Sequence, residues 1–170
     1  AYDQWNSSKP LKGIILDLRF ADGADYAAAV AVADLFFAAE RPLANWGEGF
    51  KKSTQKEKAL RGPLAMLVNA KTAGAAEVLA GILRESGIGL VLGSATAGLA
   101  SEFEEFKLKD GQRLRIATET VKLSNNKEIP STGLKPDIAV PVSLANETLF
   151  LEDAYTLIPL GGSVVQTNAP

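Results

Sequence analysis

The 170-residue chain contains neither cysteine nor histidine. Lacking cysteine, it forms no disulfide, holds no metal through thiolate and offers no sulfur nucleophile. Lacking histidine as well, it is closed to the Ser-His and Cys-His mechanisms and to most zinc-hydrolase sites. Acid-base chemistry is left to Lys, Asp, Glu or Tyr, and neither a cofactor nor a metal is expected. A surplus of either charge is also missing: 18 Lys+Arg against 20 Asp+Glu leave a formal charge of −2. Binding to phosphates needs a concentrated basic excess, so no nucleic-acid partner is expected. The apolar stretches are too short or too broken by charge to span a bilayer, and the opening residues do not read as a signal peptide.

What is present is the composition of a globular domain, 46% hydrophobic and 22% charged, in a chain long enough to bury its own core. Gly13-Ile14-Ile15-Leu16-Asp17-Leu18 is a short branched apolar run, the pattern of a strand covered on both faces. Asp22-Gly23-Ala24-Asp25 supplies a turn and a capping carboxylate before a helix expected from Tyr26 to about Glu40. Tyr26, Val30, Ala33 and Phe37 fall at helical spacing, and Ala27, Ala28 and Ala31 keep the opposite side thin, so this helix reads as buried all round. From Pro42 to Gly62 glycines and lysines dominate. Five basic residues against Glu57 between Lys51 and Arg61 read as a solvated loop, long enough for a lid, with docking to an acidic partner as the functional alternative.

Leu64 to Val68 and Leu90 to Gly93 are two further buried strands, separated by a helix from about Ala73 to Ser86 with Gly87 as its left-handed cap. Glu102 to Leu108 and Arg113 to Val121 alternate on either side of an Asp110-Gly111 turn, a hairpin. Ser124 to Lys127 is another turn, Leu134 to Val140 an edge segment, and Asn146 to Leu157 a closing helix. The order implies an α/β fold whose helix-bearing half is a parallel sheet. Residues 1–170 read as one domain, and Ala1 to Pro10 as the tail of an element in a larger protein.

Three stretches carry a resemblance. Lys12-Gly13-Ile14-Ile15-Leu16-Asp17-Leu18-Arg19 resembles a strand written KGLILDLR, normally continued by NNPGG; here the continuation is Phe20-Ala21-Asp22-Gly23-Ala24. Leu67-Val68-Asn69 through Gly81 resembles LVNxxTASASEILAG, and Gly93 to Phe103 resembles GxxTxGKGxxQ, followed by a hairpin and a Gly133-to-Ile138 ending like GVTPDI. Together these are the motifs of the C-terminal processing, or tail-specific, serine peptidases. The match runs over about residues 12–140 and implies a ClpP/crotonase-like core with short buried strands, flanking helices and a C-terminal β-hairpin. It further implies a peptide or protein partner, a PDZ module elsewhere in the full-length chain, and an exported, periplasmic or extracellular, setting.

In that family the middle serine of TASASE is the nucleophile, the lysine of GKGxxQ its base and the glutamine the lysine's partner. A serine hydroxyl needs such a base, and a lysine serves only when desolvation lowers its pKa. Laid on these motifs with Glu77 as anchor, this sequence has Gly74, Leu99 and Phe103 at the three positions, and no shift of register restores them. No catalytic residue is therefore intact, and Leu99 and Phe103 are expected to plug the cleft in part with apolar packing. The oxyanion hole, built from backbone N–H groups, is expected from Gly23 and Ala75, with Asp22 opposing it by charge.

A competing reading keeps a hydroxyl-lysine pair, drawn from Lys71, Thr72, Ser94, Ser101 and Lys107, and hence an active serine-type endopeptidase with a relocated nucleophile. The plainer reading makes Lys71 a surface charge and Thr72 a local cap. Asp17 and Arg19 read as a strand-end ion pair, Glu77 as a carboxylate favoured by its place early in a helix. Glu102 and Glu104 fall on one strand face and Glu105 on the other, which makes no metal site. The expectation is a pseudopeptidase that binds or scaffolds peptides, with an extended peptide pairing along the edge near Glu102 to Leu108.

Overall fold

The computed structural model describes residues 11–153. The chain divides into two compact units, Ala1–Val140 and Pro141–Pro170. In the first, strand β1 (Ile14–Asp17) pairs in parallel with β4 (Leu64–Val68), β4 with β5 (Gly89–Gly93), and β5 with β9 (Ile138–Ala139), in the order β1-β4-β5-β9. The register sets Leu16 beside Met66 and Met66 beside Val91. Met66, Val68 and Val91 are fully buried on that face, where the helices α1 (Tyr26–Asp34) and α2 (Ala75–Glu85) contribute Tyr26, Ala33, Val78 and Leu83 to the same core. The other face of the sheet is apolar but open, with Ile15 72% and Leu90 54% exposed.

Helix α1 starts where Asp25 accepts the Ala28 N–H at 2.8 Å, as a carboxylate N-cap does. It is shorter than its pattern suggested, ending at Asp34 and not near Glu40. The chain tightens there through i→i−3 bonds from Leu35, Phe36 and Phe37, and the Asp34 carboxylate is drawn off to the Thr54 N–H at 2.7 Å and Lys56 at 2.6 Å. Nor is it buried all round. Tyr26, Ala29, Val30 and Ala33 face the core, while the Ala27, Ala28 and Ala31 side is exposed. Helix α2 is the buried one, with Ala76 to Leu83 all inside, and it closes on Gly87 at φ +69° as expected.

The stretch read as a solvated loop contains two strands. β2 (Pro42–Asn45) pairs antiparallel with β3 (Lys51–Lys52) and with β8 (Lys122–Leu123), forming a three-stranded sheet in the order β3-β2-β8. Leu43 and Ala44 are buried in it. Its lysines are largely paired: Lys51 with Glu48 at 3.0 Å, Lys52 with Glu40 at 2.9 Å and Lys56 with Asp34, so the local positive charge is mostly neutralised. The expected hairpin forms from β6 (Ser101–Lys107) and β7 (Arg113–Thr120). In the second unit, α3 (Leu144–Glu152) is capped by Ser143, whose Oγ accepts the Asn146 N–H at 3.2 Å. The part of the closing helix expected beyond residue 153, and the opening Ala1 to Pro10, lie outside the described residues.

Candidate functional site

The loops after β1, β4 and β5 meet at the carboxyl ends of the parallel strands, the place where open α/β sheets gather their chemistry. They are stitched together by groups whose side chains carry no reactivity of their own. Asn69, fully buried, accepts the N–H of Phe20 at 3.2 Å and of Lys71 at 2.9 Å. Thr72 Oγ1 accepts the Asn69 N–H at 3.0 Å and donates to the Leu18 carbonyl at 2.8 Å. Ala73 N–H then reaches the Ala21 carbonyl at 2.9 Å, and Ala97 N–H the Thr72 carbonyl at 2.9 Å.

From this frame the chain turns sharply into α2 at Gly74, with φ +56° and ψ −120°. A backbone so placed is strained for any residue with a side chain, and a strained strand-to-helix turn is the usual seat of an exposed nucleophile. Here the turn has been filled from the other side. A Cβ on Gly74 would lie 2.1 Å from the Gly23 carbonyl oxygen, and that same oxygen accepts the Ala75 N–H at 2.8 Å. Of the two backbone N–H groups expected as oxyanion donors, that of Ala75 is thus engaged by the Gly23 carbonyl.

Beneath the turn lies Glu77, fully buried. Its Oε2 accepts the N–H of Gly74 at 3.0 Å and of Leu99 at 2.7 Å; its Oε1 accepts the Gly98 N–H at 2.7 Å and the Thr96 hydroxyl. Four donors and no acceptor meet it, the complement of a carboxylate. Thr96 in turn accepts the Leu134 N–H at 2.7 Å, which extends the network into the last loop of the unit. More than a helix-start charge, Glu77 is the hub that fixes the Gly74 turn to the Gly98-Leu99 loop. Its spacing of three from Gly74 is the capping-box signal, but its bonds to Thr96, Gly98 and Leu99 span about twenty residues and leave no local trace. Thr96 was missed for the same reason.

Above the turn is a cavity of about 280 Å³ lined by Gly74, Leu99 and Phe103, together with Gly23, Tyr26 and two charged residues, Asp22 and Arg115. All three family-equivalent positions therefore converge. Leu99 and Phe103 line the cavity without closing it: Leu99 stays 52% exposed and about 280 Å³ remains open. Arg115 reaches in from β7 and stacks over the Phe103 ring, Cζ 4.0 Å from its centroid. Tyr26, 2% exposed, donates its hydroxyl to the Ser101 carbonyl at 2.7 Å and anchors the start of β6. Burial, with Glu102 and Glu77 adding negative charge nearby, pushes its phenol up to about 12. Larger hollows exist elsewhere, among them one of about 510 Å³ beside Arg84 and Asp137, but those two charges already pair at 2.7 Å.

The remaining candidates do not assemble. Thr72 is committed to the two bonds above, Ser101 meets Tyr26 through its backbone, and Lys107 stands exposed at the end of β6. Among the described residues the lysine ammonium groups that hydrogen-bond do so to Glu48, Glu40 and Asp34, not to a hydroxyl. Asp17 and Arg19 form the expected pair at 2.7 Å, whose hydrogen bonds hold the Asp17 carboxyl below its ordinary value against a smaller opposing effect of burial. Glu105 faces Arg113 at 3.2 Å.

A four-stranded parallel sheet with a sharp strand-to-helix turn at its carboxyl end defines an α/β core whose loops gather at that turn. The sequence model of peptidase family S41 matches residues 1–140, and the chain belongs to that family. It is 35% identical over 85 residues to the chloroplastic carboxyl-terminal-processing peptidase 2 of Arabidopsis thaliana, covering 50% of this chain and 16% of that protein. It is 28% identical over 134 residues to the carboxy-terminal processing protease CtpA of Bacillus subtilis, covering 76% and 29%. Among solved structures, the photosystem II D1 C-terminal processing protease superposes with a TM-score of 0.64 at 28% identity, over 82% of this chain and 37% of that one. Mature CPAF, at 12% identity, shares the fold with a TM-score of 0.67 over 89% of this chain and 44% of its own. The chain thus spans under a third of the length of these two curated relatives. The motif resemblance and the expected fold class both hold.

Proposed function

We propose that this domain is a catalytically silent member of the S41 family that has kept the cleft for binding a peptide or protein segment. The observation that carries the reading is the Gly74 turn, where the Gly23 oxygen takes both the place of a side chain, 2.1 Å from the Cβ position, and the bond of the Ala75 N–H. A hydrolase needs a nucleophile at such a turn and free donors beside it to hold the oxyanion. Supporting it further, Leu99 and Phe103 can neither take up nor orient a proton. The cleft itself supports binding: it is open, and β6 has β7 as its strand partner in a two-stranded sheet, so that an extended segment can add to the other edge.

A fluorophosphonate probe and a peptide-cleavage assay on the protein test the first half. Neither specific labelling nor turnover is expected; either one, surviving purification controls, means a relocated nucleophile and an active endopeptidase. Titration with peptides ending in apolar residues, followed at the amides of Glu102 to Leu108, tests the second half. No shift at those amides removes the edge-pairing mode.

A further inference from the structure

We infer that the cavity over the Gly74 turn is a carboxylate-binding site with Arg115 as its anion-holding group, so that the peptides it takes are ones presenting a carboxylate there. The inference rests on the peptide-binding reading for the nature of the ligand but on separate geometry for the anion. Arg115 lies directly across from Glu105 in the hairpin register, yet Glu105 bonds to Arg113 instead. The guanidinium of Arg115 has no hydrogen bond or ion pair with any described residue, and sits over the Phe103 ring with its Cζ 4.0 Å from the centroid.

Stacking on an aromatic face fixes the guanidinium plane and leaves its N–H edge as a planar fork, the geometry that grips a carboxylate through two parallel bonds. The group is permanently charged, so it cannot stand in for a proton-accepting lysine. A site that once needed a base now presents a cation that can only hold an anion.

Around the turn, Gly74, Gly98 and Leu99 give their N–H groups to Glu77, and Ala75 gives its own to Gly23. An incoming carboxylate is therefore drawn to Arg115, the one cationic side chain that lines the cavity, with its aliphatic part against Leu99, Phe103 and Tyr26. Asp22 is the one lining charge that opposes it. At about 280 Å³ the cavity falls just under the ~300 Å³ lower end of small-molecule sites, which suits one side chain or one chain end. The carboxylate can come from either.

The test uses a fluorescein-labelled heptapeptide ending in Leu-Ala-Ala as free acid and as C-terminal amide, and the amide with Glu or Gln placed at each of the last three positions. Affinity is read by anisotropy at moderate salt. The carboxylate form, chain end or Glu, is expected to bind about tenfold tighter than its amide, and which one does identifies the source. That preference should vanish in Arg115→Gln and grow in Asp22→Asn, both exposed positions whose replacement leaves the fold intact by circular dichroism. Peptides that bind without regard to the carboxylate, or equally well to Arg115→Gln, overturn the carboxylate site and leave peptide binding standing. A parallel titration with N-acetylleucine against N-acetylleucinamide, read at the Arg115 Nε–H by NMR, needs no peptide binding at all. A shift there with the acid alone supports the site even where no heptapeptide binds, and no shift with either overturns it.

Discussion

The two sides of the Gly74 turn differ sharply. Below it, Glu77 is sealed from solvent and every bond it can make to the loops is made. Above it, Leu99 is half-exposed, Arg115 and Asp22 lack a common partner and the volume is open. The inner side ties the loops together, and the outer side presents Gly74, Leu99 and Phe103, none of which carries a nucleophile or a base. A buried, fully bonded carboxylate is held in place by the cost of orphaning its partners, whereas an exposed reactive group has only its chemistry to keep it.

The largest expected effect lies on the inner side. Glu77→Ala leaves the N–H groups of Gly74, Gly98 and Leu99 buried or half-buried without an acceptor, at about 1–3 kcal/mol each. A loss of about 3 kcal/mol or more in denaturant unfolding is expected; a change under about 1 kcal/mol would erase the contrast between the two sides.

Next comes Gly74→Ser, which puts a side chain at φ +56° and against the Gly23 oxygen. It should cost about 1–3 kcal/mol, and, combined with Leu99→Lys and Phe103→Gln, it should still give no fluorophosphonate labelling, because the Gly23 peptide crowds the seat that the hydroxyl needs. Hydrolysis by the triple variant would show that the turn yields readily.

Tyr26→Phe sharpens the comparison at the boundary between the sides. Loss of the bond to Ser101 should cost about 1 kcal/mol. The phenol titrates near 12 in the fold against ~10 in an unfolded chain, so the neutral form is favoured by folding. Its contribution is complete below about pH 10 and is lost as pH climbs through about 12. The alkaline unfolding limb should therefore weaken in Tyr26→Phe; an unchanged limb assigns it to another group. Smallest of all, Leu99→Ala on the open side should change stability by less than about 1 kcal/mol in the same unfolding measurement.

Local pattern revealed much of this and missed what depends on distant partners. The strands at Ile14, Leu64 and Leu90, the Asp110-Gly111 hairpin and the Gly87 cap are written in periodicity and turn chemistry, which act between near neighbours. The convergence of Gly74, Leu99 and Phe103 was legible through the family motifs. The early end of α1 was not, because Asp34 is claimed by Thr54 and Lys56 from twenty residues away. β2 and β3 were hidden because Pro42, Gly47 and the lysines look like loop residues, and only pairing with β8 makes a sheet of them. How far Leu99 and Phe103 fill the cleft was not legible, because residue size says nothing of the room around it; both line a cavity that stays open.

One consequence of the Gly74 turn concerns what it would take to refit it. The Gly23 oxygen occupies the seat of a side chain at position 74 and holds the Ala75 N–H. On the proposed reading, a nucleophile there demands two coordinated changes, a new side chain and a displaced Gly23 peptide, and neither is useful without the other.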